Sequence, residues 1–467
     1  MKKNLLILCL LLSFAVSVNA QKAKYVFYFI GDGMGAGQVL ATEMMLAEQD
    51  GRIGYEPLCM TNFPIIGMAR TYSNKNSVTD SAAGGTALST GYKTTNGFIG
   101  MTSDSVAVET IAEKLKKLGF GIAVCTTVSI DHATPACFYA HATSRKMYNV
   151  IGNMLPQSGF DFFAGAGFRK PLNQDGTSIY DKVMDAGYTI ARGLDQFYKY
   201  KANSDKMLLI QRTDGLEENK YESESSIPYR IDRKDGDLTL EQITRAAIDF
   251  TPKENGFFMM LEAGKVDWGC HANDLAAAIG EVQDLDDAVK VAYDFYLQHK
   301  DSTLIVITAD HETGGLSLGC DGKYFLRLKQ LERQKQSGWN FWEDLKKTYK
   351  ANPKLSWGKV KKMISEKFGL YSEIKPSKEE DKAIKNCFYA LTGNKKKIQH
   401  TLLDHPKYDM GIVLTQVFDR HAQCAWTTTG HSAANVPVYA IGVGAEQFAG
   451  WQDNIEIEPK ILKAMGY

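Results

Sequence analysis

Residues that commonly bind metals recur just after apolar segments of this chain. Segment 24–31 runs into Asp32, and segment 303–308 runs into Asp310 and His311. Carboxylate oxygens and imidazole nitrogens in this mixture are typical ligands of zinc-like cations. Eight residues share such a position, namely Asp32, Thr134, Glu262, Asp267, His271, Asp310, His311 and His431.

The spacing and chemistry of these residues suggest separate ligand sets. Asp267 and His271 are four residues apart, so a helical segment would place both on one face. Asp32, Thr134 and Glu262 offer only oxygen atoms, which suits a harder cation such as magnesium. Each residue also has an ordinary structural interpretation, because an Asp after a strand is often a helix cap and a His is often a satisfied core residue. Together they indicate a metal-dependent hydrolase.

Ser81 is a candidate nucleophile, because it stands between Asp80 and a run of very small residues. If a helix begins at Ser81, its free backbone N–H groups and the positive end of its dipole would face an anion bound over the hydroxyl. The alternative is that Asp80 or Ser81 only caps the helix. Taken alone, the segment favours the cap, whereas the Asp, His, Glu and Arg residues elsewhere favour a functional serine.

Alternating strands and helices predict an α/β fold that positions these residues. Buried strands are expected at 24–31, 121–128, 257–262, 303–308 and 436–443, and helices at 110–118, 238–250 and 274–299. The carboxyl ends of parallel strands meet at one edge, so the polar residues are expected to share a crevice. Segment 320–425 is rich in Lys and helix formers and predicts a helical insertion between the core segments 21–319 and 426–467.

The bulk properties point to an exported protein without a nucleic-acid partner. The formal net charge is +0, which indicates neither nucleic acid nor an anionic membrane as partner. Lys2 and Lys3, the apolar run 5–18 and Ala20 predict a signal peptide over 1–20, without a membrane anchor, and a periplasmic or secreted location. The chain beyond Cys9 has seven cysteines, an odd number whose pairing the sequence does not reveal.

Several motifs together resemble the alkaline phosphatase family. The resemblance covers Tyr25–Gly319 and Trp426–Gly444 and keeps the family's order of motifs. The motifs are Gly31–Gly35, Val78–Ala83, Ala133–Pro135 with Ala140, His141 and Arg145, Glu262–His271, Thr308–His311 and Gly430–Ser432.

The resemblance implies a three-layer αβα sandwich around a mostly parallel sheet, and a phosphate-monoester hydrolase of broad substrate range with two zinc ions and one magnesium ion. Ser81 would be the nucleophile that forms a phosphoserine, and Arg145 would clamp the phosphate. By position, the first zinc would be held by Asp267, His271 and His431, the second by Asp310 and His311 with Asp32 bridging to magnesium, and the magnesium also by Thr134 and Glu262. Family members are often homodimers, so a homodimer is a further expectation.

Two residues depart from parts of the family, and two other functions stay open. His132 is expected behind the magnesium ligands, and Trp268 is expected to form an aromatic wall in place of a polar residue beside the phosphate. One alternative is a phosphodiesterase or nucleotide pyrophosphatase of the same superfamily. The other is a periplasmic phosphate- or metal-binding protein that has lost catalysis.

Overall fold

The computed structural model describes residues 21–212 and 226–467. The predicted signal peptide, 1–20, lies outside the described residues. The strands within the described part are β1 Tyr25–Gly31, β2 Ile65–Arg70, β3 Gly121–Thr126, β4 Phe162–Gly165, β5 Tyr188–Arg192, β6 Lys206–Ile210, β7 Phe257–Ala263, β8 Thr303–Thr308, β9 Glu312–Thr313, β10 Leu316–Leu318, β11 Cys424–Trp426, β12 His431–Ser432, β13 Val436–Gly442 and β14 Gly450–Asp453.

Helices flank these strands along the chain. They are α1 Ala36–Gln49, α2 Ser81–Thr90, α3 Ile111–Lys117, α4 Ala133–Ala136, α5 Tyr148–Ser158, α6 Ile179–Asp185, α7 Gly193–Tyr200, α8 Leu240–Phe250, α9 Lys265–His271, α10 Leu275–Gln298, α11 Gly338–Ala351, α12 Trp357–Phe368, α13 Lys378–Leu391, α14 Met410–His421 and α15 Ile457–Met465.

One ten-stranded sheet organises the molecule, in the order β14-β2-β13-β8-β1-β7-β3-β4-β6-β5. Neighbouring strands are parallel except at β13, which is antiparallel to both β2 and β8. At the centre, Tyr25 of β1 lies opposite Phe257 of β7 and Thr303 of β8. The carboxyl ends of β3, β7, β1 and β8 therefore lie side by side, which confirms the predicted mostly parallel α/β sheet.

The central strands are mostly apolar because helices cover both faces of the sheet. Every residue of β3, β7 and β8 is buried. The rings of Phe27 and Phe257 meet edge to face at 5.1 Å, and α10 packs on this part of the sheet through Phe295. Fully burying one such side chain contributes about 1.5–3 kcal/mol.

Residues 320–425 carry four α-helices, α11 to α14, which surround a second apolar core that includes Phe341, Val360 and Phe418. Strands β10 and β11 pair antiparallel, so the segment leaves and rejoins the main fold at adjacent points. The second core also uses Leu275 and Ile279 of α10. The division of the chain into 21–319 with 426–467 and 320–425 stays a prediction.

The described cysteines are all free thiols, and most of them are buried. Burial raises the pKa of Cys137 to about 12, so this thiol stays protonated and unreactive at ordinary pH. Within residues 21–212 and 226–467, none of the helices has the length and apolar character needed to cross a membrane.

Candidate active site

Ser81 is the first residue of α2, directly after a capping carboxylate. Asp80 accepts a hydrogen bond from the Ala83 backbone at 3.0 Å, as predicted for a cap, and a second from Gly97 N at 3.0 Å. The Ser81 hydroxyl is left to point elsewhere, and its Oγ lies 3.2 Å from Nε2 of His311. The cap and the candidate nucleophile are therefore different residues, because Asp80 caps the helix and Ser81 lies inside the site.

The small residues after Ser81 permit close packing. A Cβ added to Gly84 would lie 2.7 Å from the backbone oxygen of Asp310, closer than side chains allow. Gly33, with a φ of 73°, similarly lies against Asp267, where a Cβ would come within 2.8 Å of the Asp267 Cα. Glycine at both positions lets α2, α9 and the loop after β1 converge on one point.

Arg145 lies over the Ser81 hydroxyl. Its Nη1 donates to Asp80 Oδ2 at 3.1 Å and to Ser81 Oγ at 3.4 Å, and its Nη2 donates to His132 Nε2 at 3.3 Å. The contacts with Asp80 and His132 fix the plane of the guanidinium, whose fork matches two oxygens of a phosphate group.

Asp267, His271 and His431 form the first cluster. Nε2 of His271 lies 3.3 Å from Asp267 Oδ1 and 3.2 Å from His431 Nε2. The Nδ1–H of His271 donates to Thr429 O, and that of His431 donates to Thr79 O. Each Nε2 therefore turns toward the shared space between the rings, as in imidazoles that bind a metal.

The second cluster joins Asp32, Asp310 and His311. His311 Nε2 lies 3.3 Å from Asp32 Oδ1 and 3.4 Å from Asp310 Oδ2. Thr313 donates its hydroxyl hydrogen to Asp267 at 2.6 Å, so its oxygen accepts from His311 Nδ1–H at 3.2 Å. The lone pair of His311 Nε2 thus faces two carboxylates, an arrangement that calls for a cation between them.

The third cluster contains Asp32, Glu262 and His132, whose ligand atoms lie within 4.8 Å of one another. Thr134 Oγ1 is 3.4 Å from Asp32 Oδ2, and Glu262 accepts a hydrogen bond from Thr126. A ring nitrogen of His132 thus lies among these ligand atoms, but Nε2 accepts from Arg145, which places the proton on Nδ1. In this arrangement neither ring nitrogen has a free lone pair for a cation, and the role of His132 behind the magnesium ligands stays a prediction. Within the described residues, Nδ1 is buried without a hydrogen-bond partner.

The charges of the site do not balance within the protein. Asp32, Glu262, Asp267 and Asp310 are all buried. Burial and neighbouring carboxylates raise the pKa of Asp32 and Asp310 well above the usual range, and burial raises that of Glu262 to about 7. Bound cations would supply the missing positive charge and keep these groups ionised.

Protons partly take the place of cations at the first cluster. Burial favours the neutral form of His271, but the charge of Asp267 outweighs it and raises the pKa of His271 to about 9. The same pairing lowers the pKa of Asp267 against the effect of its burial. His311 differs, because burial and the stacked ring of His431, 3.6 Å away, lower its pKa well below the usual range.

The structure brings all eight predicted ligand residues, Ser81 and Arg145 to one edge of the sheet. Sequence reasoning missed two supporting residues, Glu312 and Thr313, although they directly follow His311. Glu312 accepts from Gln38 at 2.8 Å and from the hydroxyl of Ser432, which ties β9 to the strand that carries His431. The available sequence signal was the run of four polar residues at 310–313, which follows the apolar strand β8.

Comparisons with known proteins agree with this geometry. The family model described as alkaline phosphatase matches residues 23–467. Alkaline phosphatase 3 of Bacillus subtilis (strain 168) is 30% identical over 459 residues, which cover 96% of this chain and 90% of that protein. Alkaline phosphatase 4 of the same organism is also 30% identical, over 95% of this chain and 88% of that protein.

Solved structures show the same fold. The cold-active alkaline phosphatase from the psychrophile Shewanella sp. has a TM-score of 0.78 and 28% identity, over 95% of this chain and 100% of that one. The alkaline phosphatase of the Antarctic bacterium TAB5 has a TM-score of 0.66 and 27% identity, over 96% and 99%. By sequence and fold, the chain belongs to the alkaline phosphatase family and is a phosphomonoesterase.

Proposed function

We propose that this chain hydrolyses a broad range of phosphate monoesters through a phosphoserine on Ser81, with two zinc ions and one magnesium ion bound. One observation carries the proposal. The Ser81 hydroxyl lies 3.2 Å from His311 Nε2 and 3.4 Å from Arg145 Nη1, so a nucleophile, a metal ligand and a phosphate-binding cation meet at one point.

The residues present fit these three cations. Asp32 Oδ1, Asp310 Oδ2 and Glu262 Oε1 are buried without hydrogen-bond partners, which is costly unless a cation binds them. The nitrogen-rich first cluster suits zinc, as does the cluster of Asp310 and His311. The oxygen atoms of Asp32, Thr134 and Glu262 suit magnesium. A solved His-to-Glu variant of the TAB5 enzyme, 28% identical to this chain, has Mg bound in a site called M3, which supports a magnesium site in the family.

When bound, such cations supply Lewis acidity, which favours the alkoxide of a serine and offsets charge on the transferring phosphoryl group. The chain's own residues position the reactants. Arg145 binds two phosphoryl oxygens with its guanidinium fork, and Asp80 holds that fork over Ser81. The backbone N–H groups at the start of α2 add positive potential around the same anion.

The reaction then has two displacements at phosphorus. Ser81 Oγ loses its proton and bonds to phosphorus, and the ester oxygen leaves as the alcohol. Water next attacks the phosphoserine, which restores the Ser81 hydroxyl and releases inorganic phosphate. Burial of Ser81 and its surroundings limits competing solvent at the nucleophile.

The test compares an aryl phosphomonoester with a matched diester at alkaline pH, with zinc and magnesium added. We expect strong monoester hydrolysis that a chelator abolishes and that Ser81→Ala lowers by at least about 10³-fold. Ser89→Ala is the matched control, because Ser89 lies in the same helix and its hydroxyl donates to Thr86 O at 3.3 Å, away from the clusters. A preference for the diester would contradict the proposal, as would monoester turnover that survives Ser81→Ala.

The proposal also includes export of the protein and its assembly as a homodimer. Export to the periplasm or medium is supported by the apolar segment that follows Lys2 and Lys3. Fractionation of cells expressing the full chain tests this, and light scattering tests the expected homodimer.

A further inference from the structure

We propose that a cavity beside His271 binds the alcohol portion of the substrate and selects phosphate monoesters whose alcohol carries a planar heteroaromatic ring. The inference rests on the proposed function, because the cavity would receive the group that leaves from phosphorus.

The cavity has a volume of about 590 Å³ and includes His271 of the first cluster in its wall. Small-molecule sites typically enclose about 300–1,000 Å³, so a nucleoside-sized group fits. Three aromatic side chains, Trp268, Trp339 and Tyr229, line it. Trp268 connects the cavity to the reaction centre, because its indole meets the ring of His132 edge to face at 5.9 Å.

The helical segment 320–425 supplies one wall. Trp339 and Asn340 come from the first turn of α11, and Asp409 and Ile412 come from the start of α14. Trp339 is 58% exposed, so the cavity is open to solvent on this side. Its flat apolar face is available for stacking with a ring.

The backbone that carries Trp339 is anchored next to the reaction centre. Asp274, three residues after His271, is buried and accepts hydrogen bonds from Gly338 N and Gln334 Nε2, both at 2.8 Å. Ser337 caps the same helix by accepting from Asn340 N at 3.2 Å. The start of α11 therefore has a fixed position beside His271, which lowers the entropic cost of binding a ring there.

The polar part of the lining favours a heterocycle over an aliphatic chain. Charged side chains of Arg169, Lys265 and Asp409 border the cavity. The Lys265 ammonium donates to Ile227 O at 2.8 Å and lies 3.4 Å from the centre of the Tyr229 ring. Apolar faces and polar edges in one cavity match a ring that stacks through its face and hydrogen-bonds through its edge.

The test uses two esters that release the same primary 5′ oxygen, adenosine 5′-monophosphate and ribose 5-phosphate, so that leaving-group reactivity is matched. We expect kcat/KM for the nucleotide to exceed that for the sugar phosphate by about 5-fold or more, as stacking of one base predicts. Trp339→Ala should lower this ratio toward unity, and Trp339→Phe should retain most of it.

Trp451→Ala is the matched control, because Trp451 is an exposed indole on the edge strand β14 and should leave the ratio unchanged. Equal kcat/KM values for the two esters, or an equal loss on both in Trp339→Ala, would overturn this inference and leave the proposed function standing. Hydrolysis of neither ester would overturn the proposed function itself, and this inference with it.

Discussion

Individual histidines in the site are oriented by what lies behind them. The Nδ1 atoms of His271 and His431 donate to the carbonyls of Thr429 and Thr79, and His311 Nδ1 donates to Thr313. Each Nε2 therefore faces the space that the ligand residues share. The partners of His271 and His431 could not be read from the sequence, because Thr429 and Thr79 lie far along the chain from the histidines they orient.

Arg145→Lys tests the role of the guanidinium fork. A lysine ammonium cannot contact Asp80 and two phosphoryl oxygens in one plane, so kcat/KM should fall on the order of 10²-fold while the fold is kept. Steady-state kinetics with an aryl phosphate measure the effect, and circular dichroism checks the fold. Unchanged kcat/KM would show that Arg145 does not bind the transferring group.

At the scale of elements, the site depends on how closely α2 approaches the loop after β8. Gly84→Ala would push a methyl group to within 2.7 Å of Asp310 O, so either the helix or the Asp310 backbone must move. We expect a loss of about 1–3 kcal/mol in the free energy of unfolding and a marked loss of activity. Both are measured on the purified protein, by denaturant titration and by aryl phosphate turnover.

The matched control is Gly358→Ala in α12. A Cβ there has only Ser356 Oγ nearby, at 3.9 Å, so alanine should stabilise the helix slightly and leave activity intact. If Gly84→Ala and Gly358→Ala change the free energy of unfolding and the activity alike, Gly84 is not required for the close packing of α2.

The ion pair of His141 and Glu113 ties the loop before Arg145 to α3, with Nε2 and Oε1 3.0 Å apart. The hydrogen bond that His141 Nε2–H donates to Glu113 raises the pKa of His141, so this contribution is complete below the unfolded value of about 6.5 and is lost as pH rises through the folded pKa. Although burial alone would raise the pKa of Glu113, the bonds to His141 and Thr110 lower it, so its contribution is lost in acid.

His141→Gln should therefore destabilise the protein more at about pH 6 than at about pH 9, by roughly 0.5–1 kcal/mol. Denaturant titrations of both proteins at the two pH values measure the difference. An equal loss at both would show that the imidazole contributes through packing alone.

Strands and helices were predictable from the sequence where the pattern of apolar residues was strong. The strands around segments 257–262 and 303–308 were evident because most of their residues are apolar. Strand β2 and the edge strand β14 were not, because Ile66 and Trp451 are exposed and the segments are short. The two-residue strands β9 and β12, which help to position His431, have no sequence signal, since they exist only through their mutual pairing.

At the scale of the whole molecule, an overall charge of +0 conceals a concentration of buried negative charge. The carboxylates of Asp32, Glu262, Asp267 and Asp310 converge at one sheet edge, where the charge of Arg145 acts on Asp32. Cations bound there would act as structural as well as catalytic groups, because they would bind the folded state and not the unfolded chain.

Chelation should lower the thermal midpoint of unfolding and abolish activity, and zinc with magnesium should restore both. Asp310→Asn removes one buried charge, so chelation should lower the thermal midpoint of this variant by less than it lowers that of the unmodified protein. Differential scanning calorimetry with and without chelator measures the shift. An identical midpoint in both conditions would show that the carboxylates are not balanced by bound ions.

If phosphate passes through Ser81, acid quenching during turnover should trap it there as a phosphoserine. The enzyme is mixed with an aryl phosphomonoester, stopped in acid, digested and mapped by mass spectrometry. We expect one added phosphoryl group on the peptide that contains Ser81, its presence in Ser89→Ala and its absence in Ser81→Ala. Turnover without any phosphorylated Ser81 peptide, or with the phosphoryl group on another residue, would contradict the account.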